Sequence, residues 1–143
     1  MTKESKDTDM NELISAMVGR SLDNRFPPVD NTPGETVLSV QNLSTKYAPK
    51  LQNISFDIRK GEIFGLYGLV GAGRTELLET IFGMRTRAAG NVIYNGKTMN
   101  FSSPKDAMDH GFALITEERK ANGLFLKADI TFNTTIANMN HYK

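Results

Sequence analysis

Hydrophobic positions along this chain change period several times, and each change marks an element. Leu13, Ile14, Met17 and Val18 recur at helical spacing. Asp9 stands before them with Glu12 at capping-box distance, and Gly19 follows as a stop signal. One short amphipathic helix is expected there. Residues 1–8 carry charge with nothing to bury and read as disordered. Pro27-Pro28 and Pro33-Gly34 punctuate residues 24–34, which read as a linker. The expected division is 1–34, a disordered start, helix and linker, and then 35–143 as the main domain.

Within that domain the period shortens. Thr36 to Leu43 reads as a strand with imperfect alternation: Leu38 and Val40 share one face, Val37 and Leu43 the other. Ile54, Phe56 and Ile58 alternate cleanly, and a loop at 45–52 makes the two strands an antiparallel pair. Lys60-Gly61 is a turn into Ile63, Phe64, Leu66 and Tyr67, expected as a strand feeding a glycine-rich loop. Leu77, Leu78, Ile81 and Phe82 form the buried stripe of a helix ended by Gly83. Asn91 to Tyr94 is a strand closed by the Asn95-Gly96 hairpin signal. Ser103 at N-cap, Pro104 at N1 and Asp106 at N3 start a short helix running to His110. Phe112 to Ile115 is a short apolar strand, Glu117 to Lys120 a charged loop, and Thr131 to Asn138 opens a further helix that the C-terminus truncates. The class is α/β, with an antiparallel β part beside the main sheet.

Composition narrows the chemistry. The 143 residues suffice for one domain with a sizeable core, and 39% apolar with 23% charged residues is ordinary for a globular protein. A net charge of +1 gives no electrostatic case for nucleic acid or for general binding to anionic membranes. With no cysteine, disulfides, thiolate metal sites and cysteine nucleophiles are excluded. His110 and His141 are too far apart in sequence for a paired-histidine metal motif. The charged start, Met1 to Met10, lacks the apolar core of a signal peptide, and no apolar stretch approaches the ~20 residues that span a bilayer.

The chemistry concentrates in Gly68-Leu69-Val70-Gly71-Ala72-Gly73-Arg74-Thr75-Glu76, a phosphate-loop frame with arginine where lysine is usual. Backbone N–H groups in such a loop converge on phosphate oxygens, and the following helix adds its positive end. Thr75 supplies a hydroxyl for Mg²⁺. Arg74 keeps the positive charge but is longer and planar, so the exchange is not conservative. Binding is expected to survive it better than turnover. Glu76 is a second departure: like charges ~5 Å apart at an effective dielectric of ~20 repel by roughly 3 kcal/mol. The bland alternative is a glycine-rich strand-to-helix turn with no ligand.

Reading outward, Val40-Gln41-Asn42-Leu43-Ser44-Thr45-Lys46-Tyr47 and Ile54 to Glu62 resemble the opening of an ABC-transporter ATPase domain. The loop through Leu77, then Ile115-Thr116-Glu117-Glu118-Arg119-Lys120 and Gly123, is similar to the second, degenerate nucleotide-binding domain of bacterial monosaccharide importers. Within them the galactose/methyl galactoside branch fits best, at Gly111 to Arg119. Met17 to Leu22 and Arg25-Phe26-Pro27 look like the segment joining that family's tandem ATPase domains.

The resemblance implies a P-loop NTPase partial core, with residues 35–143 as the N-terminal portion of the domain. It implies ATP and Mg²⁺ as ligands. Tyr47 stacks on adenine, Gly68, Gly71, Ala72, Gly73, Arg74, Thr75 and Glu76 lie at the phosphates, and Thr75 and Glu117 serve the metal. Glu117 holds the position where most such ATPases carry the Q-loop glutamine. Read without the resemblance, Tyr47 is a half-buried strand aromatic and Glu117 belongs to a solvated charge run. The implied partners are importer transmembrane subunits and a tandem ATPase domain, at the cytoplasmic face of the bacterial membrane. No Leu-Ser-Gly-Gly signature, Asp-Glu strand or switch histidine occurs, so no catalytic residue is assigned and no hydrolysis by this chain alone is expected. The missing strand should also bare an apolar sheet edge that invites self-association. Two alternatives stand beside this reading: an interaction module with an empty loop, and a self-contained P-loop enzyme.

Overall fold

The computed structural model describes residues 8–19 and 31–141. They belong to two compact units, Met1–Thr32 and Pro33–Lys143, each considered by itself. The expected disordered start and most of the expected linker lie outside the described residues.

The first unit contributes α1, Met10–Val18. Asp9 caps it by accepting from the Glu12 N–H at 2.8 Å. Gly19 ends it at φ 76, donating its N–H to the Ser15 carbonyl, because a left-handed residue there meets no Cβ penalty. Met10, Leu13, Met17 and Val18 are all exposed.

The second unit is built on a four-stranded antiparallel sheet. Its strands are β1 (Thr36–Thr45), β2 (Ile54–Arg59), β3 (Arg87–Tyr94) and β4 (Lys97–Met99), in the order β2-β1-β3-β4. The central strand β1 is longer than its apolar pattern indicates and pairs on both sides. Val40 and Leu43 are both buried, at 1% and 0% exposure, although strict alternation puts them on opposite faces. The pairing register shifts between these residues, where Asn42 takes a φ of 50°. This bulge returns Leu43 to the core face. Opposite it, Gly90 at φ 89 lets β3 approach so closely that a Cβ would lie 2.5 Å from the Asn42 backbone. At the other end of β3, Asn95 (φ 49) and Gly96 (φ 75) make the tight hairpin into β4, with Tyr94 opposite Lys97.

Helix α2, Arg74–Ile81, packs Leu77 and Ile81 against Val40, Leu43 and Val92 to form the core. Phe82 is buried as expected, but Leu78 is 42% exposed. Thr80 takes a buried place instead, its hydroxyl donating to the Glu76 carbonyl at 2.6 Å. Helix α3, Pro104–Asp109, starts at Ser103, whose hydroxyl accepts from the Asp106 N–H. Helix α4, Ile130–Thr135, is capped by Asp129 and runs into a 3₁₀ segment, Ile136–His141, kinked at Asn138.

Two expected strands do not form. Residues 63–67 and 112–116 join no ladder among the described residues. Side chains dock them instead: Phe64 stacks on Phe56 with centroids 5.1 Å apart, and Phe112 meets Tyr94 and Phe101 edge-on at 4.9 and 5.0 Å. An apolar slot of about 180 Å³ separates the two segments, lined by Phe64 and Leu66 on one side and Phe112, Ala113 and Leu114 on the other. Each segment lacks a neighbouring backbone on the slot side, which is why hydrophobic pattern alone does not make it a strand. The structure is therefore a partial α/β core whose formed sheet is wholly antiparallel.

Candidate functional site

The glycine loop runs from the docked Phe64–Leu66 segment to the start of α2. Gly71 and Gly73 take left-handed φ angles of 81° and 85°, which glycine alone adopts at little cost. Such turns turn successive N–H groups into an anion-binding concavity. The loop is closed by an Ala72 N–H to Leu69 carbonyl bond of 3.1 Å. Gly73 is the N-cap of α2 and supplies no side-chain hydrogen bond. The first-turn N–H groups are thus left for an outside acceptor, where the helix end is positive.

A second element fixes this loop from behind. Leu51 packs on Gly73 so tightly that a Cβ at residue 73 would lie 2.5 Å from a Leu51 methyl carbon. Leu51 is held by Thr45, whose buried hydroxyl accepts from the Leu51 N–H at 2.9 Å and donates to the Pro49 carbonyl at 3.1 Å. Leu51 is therefore a site-supporting residue absent from the sequence assignment. Its only sequence signal is a lone apolar residue in a polar loop.

Beside the start of α2 lies a cavity of about 460 Å³, within the range of small-molecule sites. It is lined by Arg74, Thr75 and Leu78 of α2, by Leu66, and by Thr116, Glu117, Glu118 and Asn122 from the later segment. Of the assigned residues, the structure thus brings Arg74, Thr75 and Glu117 together. Gly68, Gly71, Ala72 and Gly73 shape the loop without lining the cavity. Tyr47 is 60% exposed on the loop after β1, with the Lys46 ammonium 5.6 Å from its ring centroid. Glu76 sits half-buried in the first turn of α2, outside the lining. Its charge acts on Arg85, whose pKa is raised first by the hydrogen bond to Glu79, against opposing desolvation, and further by the charges of Glu79 and Glu76.

The donor set suits a magnesium-bound phosphate. The Thr75 hydroxyl and Glu117 carboxylate are hard oxygen ligands of the kind Mg²⁺ takes, and Arg74 offers a planar fork of donors to phosphate. Thr116 is also among the lining residues, and its enclosed Oγ1 is the single buried side-chain polar atom without a partner among the described residues. Sequence reasoning missed it, because a threonine before two acids gives no sign of whether its hydroxyl will be satisfied. No cluster of three acidic or histidine side chains is arranged as a metal site among the described residues.

A glycine loop leading into α2, an antiparallel sheet, and a cavity lined by both Thr75 and Glu117 are consistent with an ATP-binding-cassette module. The chain belongs to the ABC transporter family, whose model matches residues 51–139. Among curated proteins it is similar to the galactose/methyl galactoside import ATP-binding protein MglA of Treponema denticola, 63% identical over 143 residues. It is 56% identical to the protein of that name from Treponema pallidum over 137 residues, and 48% identical to that of Escherichia coli K12 over 134. These matches cover 100%, 96% and 94% of this chain but only 29%, 28% and 26% of the relatives. The chain therefore spans less than a third of the length of these relatives. A solved structure, cbiO1 from Clostridium perfringens, part of the ABC transporter complex cbiONQ, is similar with a TM-score of 0.45 and 24% identity, over 52% of this chain and 31% of that one. Among the described residues no helix is long and apolar enough to cross a membrane.

Proposed function

We propose that this chain is a portion of the ATP-binding subunit of a bacterial sugar importer of the galactose/methyl galactoside type. In this reading residues 35–143 are the opening part of the second, degenerate nucleotide-binding domain, and residues 1–34 are the lead-in from a tandem ATPase domain. ATP with Mg²⁺ binds before the glycine loop, Arg74 taking phosphate, Thr75 and Glu117 serving the metal, and Tyr47 taking the base. The module holds nucleotide without hydrolysing it alone and couples binding to transmembrane subunits at the cytoplasmic face of the membrane. The observation that carries the reading is the single cavity shared by Arg74, Thr75 and Glu117.

Isothermal calorimetry of the full chain with Mg-ATP tests it. Saturable heat is expected, and Arg74→Ala should weaken binding by about 10- to 100-fold, as loss of a charge-assisted hydrogen bond does. Absence of both heat and thermal shift at millimolar Mg-ATP overturns the reading for this chain. The same proposal extends to self-association through an exposed apolar edge.

A further inference from the structure

The loop between β1 and β2 carries Tyr47, and its far end, Leu51, rests on Gly73 of the glycine loop. Its conformation depends on one side chain. Thr45, the last residue of β1, is 6% exposed. Its hydroxyl accepts from the Leu51 N–H at 2.9 Å and donates to the Pro49 carbonyl at 3.1 Å, with the Tyr47 carbonyl 3.4 Å away. The Thr45 N–H donates to the Leu51 carbonyl at 3.1 Å. Both backbone polar groups of Leu51 therefore close on Thr45, which is itself held in the sheet opposite Arg87 of β3.

The Leu51 side chain carries this anchorage to the phosphate loop. The three heavy atoms nearest to a Cβ built at Gly73 all belong to it, at 2.5, 3.2 and 3.5 Å. It also packs on the buried cluster that includes Leu77 of α2. The Gly73 carbonyl in turn accepts from the Leu77 N–H at 2.9 Å, the bond that opens α2. In close-packed surroundings a displaced Leu51 leaves Gly73 without its backing and the start of α2 without a fixed carbonyl.

We infer that Thr45 is a positioning residue for the nucleotide site: through Leu51 it sets the loop of Tyr47 and the glycine loop in one frame. The inference rests on the nucleotide-binding reading above for its ligand. The link from Thr45 to Gly73 belongs to the unliganded chain and is testable there.

The isosteric variant Thr45→Val removes the hydroxyl and keeps the shape. Hydrogen exchange at the Leu77 amide of the unliganded chain should rise about tenfold, while the Val92–Met99 ladder stays as it is. Unchanged exchange at Leu77, or an equal rise in the ladder, overturns the inference. Leu51→Ala should give the same local rise, and reads the link even if Thr45→Val does not fold; no rise in that variant overturns the inference as well. Calorimetry with Mg-ATP and with magnesium tripolyphosphate, which has no base, supplies a readout that loss of stability alone does not move. Leu51→Ala should weaken both ligands by the same factor, because it loosens the phosphate end alone. Thr45→Val should weaken ATP by about tenfold and tripolyphosphate by less, because it also frees the Tyr47 loop; equal factors overturn the joint frame. Thr45→Ser, which keeps the hydroxyl, should match the wild type in every measurement. If the wild-type chain binds neither ligand, the nucleotide reading falls, and exchange at Leu77 still decides whether Thr45 positions the glycine loop.

Discussion

At the scale of single residues, the site depends on positions where a side chain is absent as much as on those where one is present. Gly73 admits Leu51, Gly123 admits the Thr116 hydroxyl, and Gly90 admits the backbone of β1. The last makes a direct prediction. Gly90→Ala places a methyl 2.5 Å from the Asn42 backbone on a residue with φ 89, so the left-handed penalty of about 1–2 kcal/mol adds to a clash that only backbone movement relieves. A drop of at least that size in urea-unfolding free energy is expected; an unchanged midpoint would show that the two strands separate freely at the bulge. The left-handed turns at Gly71 and Gly73 were legible at this scale, because glycine spacing announces such a loop whatever the fold around it. Leu43 was read on the face opposite Val40, since a bulge is set by how two strands meet and leaves no mark in the alternation of one. Thr116 was illegible for a related reason: the lack of a partner is a property of its surroundings.

At the scale of elements, caps and turns were read most directly, because their chemistry is local. Asp9, Ser103 and the Asn95-Gly96 pair act within a few residues of themselves and appear where the sequence puts them. Gly96 at φ 75 has open space where a Cβ would go, so Gly96→Ala isolates conformational strain from packing. It should cost about 1–2 kcal/mol and loosen β4, read as faster hydrogen exchange at the Tyr94 to Lys97 ladder; equal exchange would mean the turn does not hold the edge strand. The segments 63–67 and 112–116 were misread because a strand is defined by its neighbour. Their apolar residues do pack inward, as the alternating exposure of 112–116 shows. What they lack is a paired neighbouring strand among the described residues, which no local pattern reports.

At the scale of the whole second unit, those segments leave apolar surface on both sides. Phe64, Leu66, Phe112 and Leu114 face the slot, while Ile63, Tyr67 and Ile115 are 91%, 100% and 94% exposed. Unpaired backbone beside such residues invites another strand. The chain is expected to associate with itself as concentration rises, with the sedimentation coefficient increasing and Leu114→Lys suppressing the effect. A single monomeric boundary at high concentration would remove the proposal. Fold class was legible at this scale through the glycine loop and its flanks, whereas the balance between antiparallel and parallel sheet was not, since it depends on which strands find partners.

The arrangement of the sheet also orders the chain in time. All its ladders close between Thr36 and Met99, so every strand of the sheet precedes Phe112 in the order in which the chain emerges. Arg74 and Thr75 then wait on a finished scaffold, and the wall carrying Thr116 and Glu117 arrives afterwards. A nascent chain is thus expected to hold its sheet strands before the residues of the candidate cavity are complete, so on the proposed nucleotide-binding reading a nucleotide acts late, on strands already in place.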